Sequence, residues 1–219
     1  MKLLIKYPTR ARPDQFRRVL ALYVAKLSGK HDVRFVISAD SDDATMNNDA
    51  VKAFVAAQPH ATLCIGPPKT KIQACNADMA GRDFDVLVLA SDDMIPVADE
   101  YDDVICGHMA RFWPQLDGCL HYNDGLQGKL NTLSIMGRAL YERFGYIYHP
   151  DYFSLWCDNE FQEVTEQWGV SVFINQVIIR HEWASIRDKL RNKGTSFYVR
   201  DGHVFQVRKA AGFPKGSVL

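Results

Sequence analysis

Two adjacent carboxylates, Asp92 and Asp93, end the aliphatic run of VLVLASDDM (Val86–Met94). Like charges side by side repel, and each costs several kcal/mol to bury unpaired, so a core strand that finishes on them calls for a counter-charge. A divalent cation would supply it. Two carboxylates at a strand end with a histidine from elsewhere could hold such an ion, and the ion could neutralise a diphosphate. A plain acidic surface turn is the other reading. Three more polar stretches follow aliphatic runs: PTRARP (Pro8–Pro13), SADSDD (Ser38–Asp43) and GPPKTK (Gly66–Lys71). In open α/β sheets ligands bind beyond the carboxyl ends of the strands, so four such loops on one rim point to a site. Neither G-x-G-x-x-G nor G-x-x-x-x-G-K-[ST] occurs, which removes the usual dinucleotide and P-loop explanations.

The elements that must position these residues follow from periodicity. Met1 to Tyr7 reads as a buried strand stopped by Pro8. Phe16, Val19, Leu20, Tyr23, Val24 and Leu27 then recur at helical spacing between Pro13 and Gly29. Strands are expected at Val33–Ser38, Ala61–Ile65 and Asp85–Ala90, with helices at Asp49–Ala57 and Thr70–Ala80 between them. Alternation of this kind predicts an α/β fold with a mostly parallel sheet covered on both faces. A helix over Asp99–Trp113 follows, with His108 as a packed residue on its apolar face, and then a strand at Gly118–Tyr122. Beyond these, a strand at Leu133–Met136, helices at Arg138–Phe144 and Asp158–Trp168, and one or two strands within Ser171–Arg180 complete the pattern. This reads as one domain over residues 1–183 and a basic extension over residues 184–219, packing on or near the site.

The order of these features resembles the GT-A glycosyltransferases, and the family-2-like group in particular. The residues that carry the resemblance are PTRARP after the first strand, Asp40 after the second, KIQACNA (Lys71–Ala77) opening the third helix, ASDDM after the fourth strand, HPDYFSLWCDNEF (His149–Phe161) and VIIRHEW (Val177–Trp183). It covers roughly Lys2 to Trp183. The resemblance implies a GT-A fold, Rossmann-like with a mixed, mostly parallel sheet, and a nucleoside-diphosphate sugar as donor. It places Thr9, Arg10, Arg12 and Asp40 at the nucleoside, with Lys71 and Asn76 near it. It further implies Mn²⁺ or Mg²⁺ at Asp92, Asp93 and His181, Asp92 thereby also serving the donor. Two positions depart from the family pattern. Ala90 stands where the first aspartate of the D-x-D motif usually stands, and Cys157-Asp158 replaces the Glu-Asp pair that supplies the base, with Glu160 two residues on. The base is therefore Asp158 or Glu160.

Each of these residues also has a structural reading. Asp158 could be a helix N-cap, and His181 a hydrogen-bonded residue at a strand end. His121 and Asp124, in HYNDG, could line an acceptor cleft or form a turn. Trp156 and Tyr152 could stack on a sugar or simply pack.

The 219 residues, 47% hydrophobic, are ample for one large domain. No window approaches the ~18 apolar residues of a membrane span, and five cysteines without a C-x-x-C pair suggest neither a disulfide framework nor a zinc knuckle, so a cytoplasmic protein is expected. Net charge is zero but uneven. From Arg187 to Leu219 eight Lys or Arg face two Asp, leaving 18 basic and 24 acidic residues before them. That tail is either solvated or in contact with an anion. With Phe197, Tyr198 and Phe205 interleaved, it supports a second reading as a non-catalytic nucleotide- or nucleic-acid-binding protein. A transferase acting on a glycan or on a modified DNA base would reconcile the two. A nucleotidyltransferase would also place carboxylates at strand ends, but its Gly-rich basic loop near the first strand is missing.

Overall fold

The structure is a computed structural model that describes residues 1–126, 128–182, 192 and 195–218. Its strands are β1 (Lys2–Pro8), β2 (Asp32–Asp40), β3 (Ala61–Gly66), β4 (Val86–Leu89), β5 (Met94–Pro96), β6 (Cys119–Tyr122), β7 (Ile135–Gly137), β8 (Ser171–Ile174) and β9 (Ile179–His181). The helices are α1 (Pro13–Ala25), α2 (Asp49–Ala56), α3 (Lys71–Asn76), α4 (Tyr101–Phe112), α5 (Arg138–Phe144), α6 (Cys157–Gln167) and α7 (Tyr198–Ala210). Seven strands form one sheet in the order β3-β2-β1-β4-β7-β6-β8, and β7 alone runs antiparallel to its neighbours. Strand order reverses between β1 and β4, which opens a crevice at their carboxyl ends.

Alternation along the central strands divides the core in two. Leu3, Ile5, Tyr7, Val86 and Val88 face one layer; Leu4, Leu87 and Leu89 face the other. Both faces are apolar because both are covered, as a parallel sheet requires. The exception is Lys6, fully buried on the second face, where its ammonium reaches Ser38 Oγ and lies 4.0 Å from Asp78. Burial pushes that amine down to about 8, against the pull of Asp78.

Three elements differ from the sequence reading. Helix α3 ends at Asn76 because the Asn76 amide captures the backbone of another segment, donating to Tyr148 O and accepting from Ile147 N and Tyr148 N. Strand β5 is only three residues long, and it pairs antiparallel with β9 outside the main sheet. Helix α7 occupies the stretch expected as a basic extension. It places Val204 and Phe205 in the second core layer. The expected boundary at Trp183, with Arg187, Lys189, Arg191 and Lys193, lies outside the described residues. Among the described residues no helix is long and apolar enough to cross a membrane.

Candidate active site

A cleft of about 1200 Å³ opens at the carboxyl ends of β1, β2 and β4. Of the residues singled out in the sequence, Thr9, Arg10, Arg12, Asp40, Lys71, Asp92, Asp93, Trp156, Asp158 and His181 line it. His121, Asp124, Asn76 and Glu160 do not.

The basic and acidic loops interlock at one end. Arg10 pairs with Asp40, which ends β2, and forks onto Asp42 at 2.8 and 3.0 Å. The turn that carries Arg10 is fixed by Asp43, whose carboxylate accepts from the amide of Ala11, a residue with left-handed backbone (φ 60°). Lys69 approaches the other oxygen of Asp40 at 3.6 Å. The two guanidinium and ammonium groups thus bracket a carboxylate that is only 6% exposed, an arrangement that can exchange partners when a polar ligand arrives.

The two aspartates of the opening motif diverge. Thr9 Oγ1 lies 3.2 Å from both carboxylate oxygens of Asp92, bridging the ends of β1 and β4 at the switch point, and Gln15 Nε2 donates to Asp92 O. Burial pushes Asp92 up to about 7, with Arg12 pulling down and Asp93 pushing up. Asp93 faces the other way. The pairing of β5 with β9 sets Met94 opposite His181, Glu182 N donates to Asp93 O, and His181 Nε2 lies 3.8 Å from Asp93 Oδ2. Burial opposes the charge on Asp93, but His181, Ser91 and Lys71 outweigh it and hold the carboxyl well below its ordinary value. Burial likewise opposes charge on His181, and its contacts with Asp124 and Asp93 outweigh it, lifting the imidazole to about 9.

Among the described residues no three His, Cys, Asp or Glu side chains converge on one metal-sized point. Of the three ligands that the resemblance implies, Asp92 turns to Thr9, while Asp93 and His181 lie together. Asp93 and His181 fit a divalent ion as a pair: metal–ligand bonds of roughly 2.1 Å put two ligands of one ion about 3 to 4 Å apart. Substrate phosphates commonly complete a site that has one or two carboxylates.

Asp158 is the second residue of α6, not its N-cap. The cap position is Trp156, with left-handed backbone (φ 64°, ψ −9°), and the Asp158 side chain accepts from the adjacent Asn159 N at 3.0 Å. Burial raises its pKa, and Lys71 across the cleft pulls the other way. A half-buried carboxylate with a raised pKa and a face on the cleft can accept a proton.

Glu160, the alternative base, is committed elsewhere. It is buried in α6 and takes both Nε and a terminal nitrogen of Arg208 at 2.7 and 2.8 Å, plus the Tyr152 hydroxyl at 2.7 Å. Tyr152 is fully buried in this contact and offers no face to a ligand. His121 is buried edge-on to Phe173, with Nε2 lacking a partner among the described residues. Asn76 holds backbone, as described above. Asp124 is fully buried behind His181.

Some lining residues had only a weak signal in the sequence. Thr195, Phe197 and Tyr198 reach the cleft from the C-terminal segment. Trp156 packs between Tyr198 and Phe205 and donates its indole N–H to Tyr198 O. Asp201 of α7, fully buried, accepts from the amides of Phe153, Ser154 and Leu155 and so fixes the loop before α6. Interleaved aromatics in a basic tail are the only trace of this wall in the sequence.

No family model and no curated protein matches the chain. Solved structures do. The mannosyltransferase PcManGT from Pyrobaculum calidifontis, determined with GDP-Man and Mn²⁺, superposes with a TM-score of 0.70 at 15% identity, over 99% of this chain and 65% of that one. S. aureus TarS 1–349 gives 0.62 at 11% identity over 84% of this chain and 61% of that one, and its complex with UDP gives 0.60 at 12% identity over 82% and 60%. The chain thus spans a little under two thirds of the length of each of these structures. At such identities the likeness is one of fold: the chain has the GT-A-type fold of these glycosyltransferases.

Proposed function

We propose that this chain is a divalent-metal-assisted glycosyltransferase that moves a sugar from a nucleoside-diphosphate sugar to a hydroxyl acceptor with inversion. The observation that carries the reading is one cleft with the Asp93–His181 pair at the end of β4, the Arg10–Asp40 contact at the end of β2, and Asp158 at the start of α6. It gains support from the nucleotide and Mn²⁺ in the similar structures.

In this reading Thr9, Arg10, Arg12 and Asp40 hold the nucleoside, and Lys71 balances the diphosphate. Asp93 and His181 hold Mn²⁺ or Mg²⁺, which when bound supplies charge stabilisation for the departing diphosphate. Asp92 holds Thr9 and the nucleoside end in register. Asp158 takes the proton of the acceptor hydroxyl, and the Trp156 ring offers an aromatic face to the acceptor glycan. Of the tail's basic residues, Arg200, Arg208 and Lys209 are paired with Asp201, Glu160 and Glu163, which weighs against a nucleic acid as the acceptor. Asp158→Asn tests the role of the base. Transfer should fall by about 10²- to 10⁴-fold while GDP and UDP affinities stay within about twofold. Undiminished transfer by that variant would remove Asp158 from the chemistry.

A further inference from the structure

Asp124 is not among the residues that line the cleft and has no direct part in the chemistry proposed above, yet its contacts join His181 to Leu126 and Thr132. Its backbone carbonyl accepts from His181 N at 2.8 Å. One carboxylate oxygen accepts from Leu126 N at 2.8 Å; the other accepts from Thr132 Oγ1 at 2.7 Å and lies 3.5 Å from His181 Nδ1. The side chain is fully buried, and His181 Nδ1 is itself buried with no aligned hydrogen bond among the described residues, the Asp124 carboxylate lying 3.5 Å away. Across the ring, Nε2 faces Asp93.

We infer that Asp124 is the positioning residue of the metal site: it takes the Nδ1 proton of His181 in a hydrogen bond and so presents Nε2, unprotonated, to a divalent ion shared with Asp93. A histidine binds metal through a bare nitrogen, and which nitrogen is bare depends on the bond made by the other. A buried carboxylate beside Nδ1 selects the Nδ1–H tautomer. Leu126 and Thr132 line the cleft, so the same carboxylate ties the loop bearing them to the metal histidine.

The inference rests on the metal role of His181 and is tested with it. Mn²⁺ binding to the protein with GDP or UDP present is measured by electron paramagnetic resonance for the wild type, Asp124→Asn and His181→Gln. Both variants should raise the Mn²⁺ dissociation constant, Asp124→Asn by roughly 10- to 100-fold, and Asp124→Asn should leave metal-free nucleotide binding unchanged. Wild-type Mn²⁺ affinity in Asp124→Asn alongside weakened binding in His181→Gln would overturn the positioning role. Unchanged affinity in both would overturn the metal reading beneath it. Because Asp124 is buried and its variant can fail to fold, ¹⁵N resonances of His181 in the wild type with Mg²⁺ and nucleotide provide a second readout. Nδ1 should be protonated and Nε2 bare, and the opposite tautomer would contradict the inference.

Discussion

Burial drives Asp92 toward its protonated form, while its neighbour Asp93 is held charged by His181, Ser91 and Lys71 after the same burial is overcome. The split follows from the strand end: one side chain turns to Thr9, just past β1, and the next to β9. Its consequence for stability can be measured without metal. His181 titrates near 9 in the fold against 6.5 in the open chain, so its pairing is fully stabilising below pH 6.5 and lost as pH rises through 9. The difference corresponds to about 3 kcal/mol at most. In EDTA, thermal midpoints of the wild type should drop between pH 7 and 9.5 relative to His181→Gln. Parallel curves for the two proteins would show that the pair contributes nothing.

At the scale of elements, α6 and α7 are fastened by one buried ion pair. Arg208 forks onto Glu160 and also donates to Pro214 O and Gly216 O, so the chain end is drawn into the same knot. Removing one partner of a buried pair costs about 3 to 5 kcal/mol, whereas replacing both with apolar residues is often neutral. Arg208→Met should therefore lower the melting temperature by roughly 10 °C, and Glu160→Leu combined with Arg208→Met should recover most of it. A double variant as unstable as the sum of its parts would refute the account. Helix α7 was hidden in the sequence because Gly202 and its scattered charges mask a weak apolar stripe. Strand β5, at three residues, is too short to show a period. The strands and helices from β1 to β4 were legible because buried parallel strands are nearly continuous apolar runs and their helices repeat at 3.6. The cleft residues at those strand ends were legible for the same reason, since position at a carboxyl end follows from the strand. What the sequence could not show was orientation: that Asp92 turns to Thr9, that Glu160 is spent on Arg208 and that Asp124 backs His181 all depend on contacts over 48 to 83 residues of separation.

The whole molecule joins a parallel half, β3-β2-β1-β4, to a mixed half, β7-β6-β8, and the cleft crosses the seam between them. The first half brings Arg10, Asp40 and Lys71, and the second brings Asp158, with α7 walling the far side. In the proposed function the early strands hold the donor and the later elements the acceptor. The uneven charge of the chain is partly resolved inside the fold: Arg208 and Lys209 of α7 pair with Glu160 and Glu163 of α6. In the proposed function a nucleoside diphosphate and a divalent ion share this cleft. Calorimetric titration of the protein with GDP and UDP, with and without Mn²⁺, tests it most directly. At least one nucleotide should bind at least tenfold more tightly with Mn²⁺ than without it, and His181→Gln should remove the difference. Equal affinities with and without the ion for both nucleotides would contradict it.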